Sequence, residues 1–198
     1  MWHQGVEISQ TQVVSREKTI RTSRDTSADQ KFCAFNKKDS LDMAKELKEG
    51  LKAPAFSLPT DGGGKIRLAD LQGQNVVLYF YPKDMTPGCT TEAIDFSGHA
   101  AAFKKTNTLV IGVSKDSVER HDKFKAKHDL TITLASDESG AMLEKYGVWQ
   151  EKKLYGKVFM GIVRSTILID AEGKIARIWP KVRVKGHADE VLEAAQAL

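Results

Sequence analysis

Residues 76–96 constrain the fold more than any other stretch of the chain. An apolar and aromatic run over 76–81 is stopped by Pro82, a loop with a second proline and a glycine follows, and helical spacing resumes at Cys89. The pattern predicts a strand, a loop and a helix start, with Cys89 at the junction. A thiol is a weak nucleophile at neutral pH unless its thiolate is favoured, and the first turn of a helix offers unpaired N–H groups and positive potential. Cys89 is therefore placed to react. A buried apolar cysteine at a strand-helix junction is the plainer alternative, and the local pattern leaves both open.

Composition limits the function classes. The 198 residues suit one ordinary domain, and 28% charged against 41% hydrophobic residues is the balance of a soluble globular protein. No apolar run approaches the roughly 18 residues of a spanning helix, so no membrane partner is expected. The net charge of +4 arises from 30 basic and 26 acidic side chains scattered along the chain. They form no basic stripe with interleaved aromatics, so a solvated surface is expected and no nucleic-acid partner. The two cysteines, Cys33 and Cys89, lie far apart in unlike contexts. That argues against a disulfide framework and for a reducing, cytoplasmic setting.

Residues 1–42 are rich in Ser, Thr, Gln, Lys, Arg and Asp without sustained periodicity, and read as a disordered or extended N-terminal segment before a folded domain over 43–198. No secretory h-region is present. Glu7, Glu17, Asp25 and Asp29 weigh against a transit peptide, and a natural start at Met43 is a third reading. From Leu51 the texture changes. Ala53 to Leu58 is extended, and Asp61-Gly62-Gly63-Gly64 predicts a tight turn rather than a phosphate loop, because Ile66 stands where Ser or Thr would hold magnesium.

Ala93, Phe96, Ala100 and Phe103 give the helix from Cys89 one apolar face. Residues 108–113 read as a buried strand, and Asp116 with Glu119 as a capping box opening a charged helix to about His128. Residues 130–134 alternate as a strand, 140–146 form a short helix closed by Gly147, and 165–170 form a strand. A hairpin turn at 171–174 leads to a strand over 175–179, and Val191, Leu192, Ala195 and Leu198 stripe the last helix. The alternation predicts a three-layer α/β domain with a largely mixed sheet.

With the elements in order, a family resemblance becomes specific. Pro82-Lys83-Asp84-Met85-Thr86-Pro87-Gly88-Cys89 resembles the peroxidatic-cysteine motif Pro-x-x-x-Thr-x-x-Cys of the peroxiredoxins. Its form Tyr-Pro-Lys-Asp-x-Thr-Pro-Gly-Cys-Thr resembles the bacterioferritin comigratory protein, or peroxiredoxin Q, subfamily. Glu92, Ser136-Asp137 and Gly161-Ile162-Val163-Arg164-Ser165-Thr166 match further on, so the likeness spans about 51–198. It implies a thioredoxin-like fold with a central mixed sheet flanked by helices. It also implies thiol-dependent reduction of hydrogen peroxide and organic hydroperoxides, with no metal or organic cofactor.

The residues suit that chemistry. Cys89 would attack a peroxide oxygen as thiolate and become a sulfenic acid. The Thr86 hydroxyl would bond thiolate or peroxide, Arg164 would stabilise the moving charge, and the Gly88 and Cys89 N–H groups would polarise alongside it. Pro82 would shield the sulfur and Glu92 would orient Arg164. Singly, each has a plainer role as turn residue, strand terminator, ion-pair partner or helix-start charge; together, at family spacing around one cysteine, they favour the catalytic reading.

One departure matters. Many members of the subfamily carry a resolving cysteine five residues after the first, and that position here is Ile94. A local disulfide is excluded and Cys33 lies in the N-terminal segment, so a one-cysteine cycle is expected. Thioredoxin, glutaredoxin or a low-molecular-weight thiol would be the reductant, and the protein a monomer or weak homodimer. A thiol-disulfide oxidoreductase is disfavoured because Glu92 stands where the second cysteine of an exchange pair would be. A thioredoxin-fold interaction or chaperone protein without peroxidase turnover is the remaining alternative. His3, His99, His121, His128 and His187 lack ligand spacing, and His121 and His128 read as one solvated helix face. Tyr79, Phe80, Trp149 and Trp179 read as core or pocket-lining aromatics.

Overall fold

The computed structural model describes residues 47–198 apart from Tyr155; residues 1–42, and Cys33 with them, lie outside the described range. In chain order the elements are β1 (Ser57–Pro59), β2 (Lys65–Arg67), β3 (Asn75–Phe80), α1 (Pro87–Gly98), α2 (Ala100–Lys105), β4 (Thr108–Ser114) and α3 (Val118–His128). They continue with β5 (Thr133–Ser136), α4 (Ala141–Lys145), β6 (Trp149–Leu154), β7 (Lys157–Ile162), β8 (Ser165–Ile169), β9 (Ile175–Trp179) and α5 (His187–Gln196). A five-stranded sheet in the order β5-β4-β3-β8-β9 forms the middle layer. Strands β3, β4 and β5 run parallel, while β8 is antiparallel to β3 and to β9.

Burial on both faces explains why β3 is a continuous apolar run rather than an alternating one. Val77, Tyr79 and the following Tyr81 face one core with Cys89, Ala93 and Phe96 of α1, Phe103, Phe124, Val191 and Ala195. Val76, Leu78 and Phe80 face the other core, with Phe56, Leu58, Met142, Leu143 and Tyr146. Register then places the chemistry. Phe80 pairs with Val113 on one side and with Ser165 on the other. The end of β3 and the start of β8 therefore share one edge of the sheet, which brings the loop after Tyr81 to Arg164. Gly112 is required at its place because it lies opposite Tyr79, where a Cβ would approach the phenol ring to 2.5 Å.

Several expectations are corrected. The apolar face from Cys89 to Phe103 is carried by two helices, since the chain breaks at His99, which caps α1 and opens α2. The strand expected over 130–134 sits at Thr133–Ser136; Leu130 and Ile132 are buried in the approach to it. The capping box does not form. Ser117 is the N-cap residue of α3, and Asp116 instead accepts from the Asp84 N–H and the Ser114 hydroxyl. Leu198 lies past the end of α5 and is 58% exposed, outside the stripe assigned to it. The hairpin of β6 and β7, pairing Trp149 with Ile162, was not anticipated, because Gln150-Glu151-Lys152-Lys153 carries no alternating apolar signal. No helix among the described residues is long and apolar enough to cross a membrane.

Candidate active site

Cys89 sits in the first turn of α1, two residues after Pro87, which occupies the first helical turn where its missing N–H costs nothing. Thr86 is the N-cap residue, with φ −88° and ψ 147°, yet its side chain makes no capping bond. Its hydroxyl donates to the Lys83 carbonyl at 2.9 Å, which leaves the oxygen lone pairs as acceptor capacity. The Thr90 N–H already bonds the Thr86 carbonyl at 2.9 Å. Gly88 and Cys89 thus present first-turn N–H groups that no side chain caps.

Arg164 is the point where distant chain segments converge on the sulfur. One guanidinium nitrogen, Nη2, donates to Cys89 Sγ at 3.2 Å, while Nη1 donates to Glu92 Oε2 in a close ion pair. A planar fork reaches two partners at once in a way an ammonium cannot. Its backbone is pinned, because the Val182 N–H bonds the Arg164 carbonyl at 2.9 Å, and the Ser165 hydroxyl bonds the Val163 and Pro180 carbonyls. Burial pushes the Glu92 carboxyl up to about 7 against the pull of Arg164, and Glu92 Oε1 is buried with no hydrogen-bond partner. Arg164 is raised above its ordinary value by Glu92 and Cys89, although burial acts the other way.

The sulfur is almost fully screened, with Cys89 1% exposed. An open groove alongside it runs from Gly88 and Thr91 of α1 to Lys185 and Asp189 at the start of α5. Gly88 forms part of that wall, and a Cβ there would lie 3.6 Å from Arg164 Nη2. Pro82 is exposed at the start of the loop. Cys89, Glu92, Arg164 and Gly88 therefore meet, Thr86 stands at the helix entrance, and Pro82 forms the outer end of the same loop.

Sequence reasoning missed two features. Lys152 on the unanticipated hairpin bonds the Ile162 carbonyl at 2.6 Å; burial and the Arg164 charge pull its ammonium below the ordinary value, with Cys89 opposing. More important, His121 is not on a solvated face. It is fully buried, and its Nδ1 lies 2.8 Å from Asp84 Oδ2. A signal was present in the sequence: His121 lies one turn before Phe124, the apolar anchor of α3, and so shares its face.

Residues 50–178 match the AhpC/TSA family, to which the chain belongs. Within it the chain falls among the peroxiredoxins of the bacterioferritin comigratory protein and PrxQ type, which are thiol-dependent peroxidases. It is 50% identical over 146 residues to a putative peroxiredoxin bcp of Coxiella burnetii, covering 74% of this chain and 97% of that one. Peroxiredoxin Bcp of Bacillus subtilis is also 50% identical, over 144 residues, covering 73% and 92%. A solved structure of the Xanthomonas campestris bacterioferritin comigratory protein, studied for alkyl peroxide reduction, superimposes with a TM-score of 0.71 at 43% identity, covering 76% and 98%. Xylella fastidiosa PrxQ gives 0.73 at 39% identity, covering 76% and 96%. The thioredoxin-like fold expected from the resemblance is the fold of these neighbours.

Proposed function

We propose that Cys89 reduces hydrogen peroxide and organic hydroperoxides through a sulfenic acid, in a one-cysteine cycle completed by an external thiol. The observation that carries this reading is the Arg164 fork, which donates to Cys89 Sγ at 3.2 Å and to Glu92 at the same time. The thiolate attacks one peroxide oxygen and the O–O bond breaks. The departing oxygen takes up a proton and leaves as water or alcohol, and the sulfur keeps the transferred oxygen as sulfenic acid. Arg164 and the N–H groups of Gly88 and Cys89 stabilise charge moving onto the peroxide oxygens. The Thr86 oxygen accepts a hydrogen bond from the peroxide O–H, since its own proton is committed to the Lys83 carbonyl. Pro82, stiff and without an N–H, is assigned to shield the sulfur from water from the start of the same loop.

The one-cysteine cycle is supported by Ile94, 46% exposed where a resolving thiol would stand, and by Cys89 being the free cysteine among the described residues. Thioredoxin, glutaredoxin or a low-molecular-weight thiol attacks the sulfenic sulfur, water leaves, and a second thiol releases Cys89. Such a cycle suits the reducing cytoplasm and needs no partner subunit. Intact-mass analysis after one equivalent of peroxide tests it. Gain of a single oxygen on Cys89, reversed by added thiol, is expected, and Cys89→Ser abolishes peroxide consumption. Loss of two hydrogens with a Cys33 to Cys89 link overturns the one-cysteine cycle, and turnover by the serine variant overturns the whole reading.

A further inference from the structure

Beneath the loop lies a polar cluster that the reaction as derived above does not use. Asp84 is 1% exposed, and each of its polar atoms is engaged. The Tyr81 hydroxyl donates to Oδ1 at 2.6 Å and His121 Nδ1 lies 2.8 Å from Oδ2. The backbone N–H of Asp84 bonds Asp116 Oδ2 at 2.8 Å, and its carbonyl accepts from Arg120 at 3.2 Å. Three of these four partners, Asp116, Arg120 and His121, come from α3 and its entrance. A short loop between β3 and α1 is therefore bolted through one residue to a different helix. A buried carboxylate is tolerated only when its lone pairs are filled, so this cluster is costly to build and specifies one geometry.

The segment it holds needs such support. Met85, the next residue, adopts φ +64°, a left-handed conformation that a non-glycine residue keeps only where its surroundings dictate it. Thr86 follows, and then Gly88 and Cys89. His121 Nε2 is buried without a hydrogen-bond partner, and its Nδ1–H is donated to Asp84 Oδ2, with the Tyr81 hydroxyl 3.5 Å from the same nitrogen.

We infer that Asp84 and His121 act as a pair of positioning residues for peroxide reduction, holding the 82–88 loop so that Thr86 and the first-turn N–H groups are aligned on the peroxide bound at Cys89. The inference rests on the peroxidase reading. It concerns alignment and not generation of the nucleophile, and this separates it from a merely structural role. Peroxide needs several groups in register, whereas iodoacetamide needs only an accessible thiolate.

The test compares second-order rate constants of Cys89 with hydrogen peroxide and with iodoacetamide, measured by stopped-flow on folded protein well below the unfolding midpoint. His121→Phe removes the donor and keeps a planar ring, a little larger than imidazole; His121→Asn keeps a donor near the Nδ1 position; Asp84→Asn leaves both backbone bonds in place. A misplacement of about 1 Å is worth up to a hundredfold in rate. We expect His121→Phe and Asp84→Asn each to lower the peroxide rate at least tenfold with alkylation changed less than about threefold. His121→Asn should recover most of the loss, and the double variant should be no worse than the poorer single one. Equal falls in both rates, an unchanged peroxide rate or additive losses overturn the inference. If His121→Phe does not fold, Asp84→Asn and His121→Asn carry the same comparison. Failure of Cys89→Ser to abolish turnover strikes the peroxidase reading instead, so the two failures are distinguishable.

Discussion

Replacing Arg164 by methionine isolates the contribution of its charge, because the side chain keeps similar bulk while both hydrogen bonds are lost. Unit charges 3.2 Å apart interact by about 5 kcal/mol at an effective dielectric near 20. Part of that is already present with the resting sulfur, so the transition state loses a smaller amount. Removing one preorganised donor from a polar active site costs about 3–4 kcal/mol, or 10²- to 10³-fold in rate. Arg164→Met should accordingly lower the second-order rate constant with peroxide by about that factor. Arg164→Lys keeps the charge but cannot span Cys89 Sγ and Glu92 Oε2 with two nitrogens, and should lose about tenfold. The fold should tolerate the change. Burial already raises Glu92 to about 7, and Arg164 is the main influence lowering it, so without Arg164 the carboxyl protonates at neutral pH instead of remaining a bare buried charge. Stopped-flow fluorescence supplies the rate and urea unfolding supplies the stability. A methionine variant within about threefold of the parent rate would refute the electrostatic argument.

Other outcomes follow from the same geometry. Thr86→Val should reduce the peroxide rate about 10- to 100-fold while leaving alkylation by iodoacetamide nearly unchanged, because the hydroxyl oxygen serves the peroxide proton. Burial first of all, with Arg164 adding to it, holds His187 near 4, well below the usual imidazole value; its Nε2 lies 2.8 Å from the Thr166 hydroxyl oxygen. The unfolded chain therefore binds this proton more readily, and the stability His187 contributes is lost as pH falls from about 6.5 toward 4. Glu92 has the opposite sign. Its raised value makes the folded state hold the proton, so its contribution is lost as pH rises from about 4.5 through 7. The two slopes offset one another between about pH 4.5 and 6.5. Glu92→Gln should expose the His187 slope and make the unfolding free energy from urea titrations rise with pH there, by about 1–2 kcal/mol after solvent screening; a flat free energy would refute the assignment. Tyr79→Phe should be neutral or stabilising by up to about 1 kcal/mol in the same assay, since the Tyr79 hydroxyl is buried without a partner.

What the sequence alone determined is the local punctuation. Proline at 82 and 87 and the apolar run before them specify a strand, a loop and a helix start by backbone sterics and periodicity, which act over a few residues. That is why Cys89 could be placed in a first turn, and why β4, β8, β9 and α4 were legible within a residue or two. Glu92, one turn from Cys89 on the same helix, was legible for the same reason. Tertiary structure decided what depends on distant pairing. Arg164 reaches Cys89, 75 residues away, because β8 runs antiparallel to β3 with Ser165 opposite Phe80. The β6–β7 hairpin has little sequence signature because Val158, Phe159 and Met160 are exposed and residues 150–153 are polar, while Trp149 and Ile162 at its paired end pack on the core. His121 was misassigned for a related reason. A histidine within a charged helix has the composition of a surface residue, and only the buried carboxylate of Asp84, 37 positions earlier, offers a partner that makes its burial tolerable.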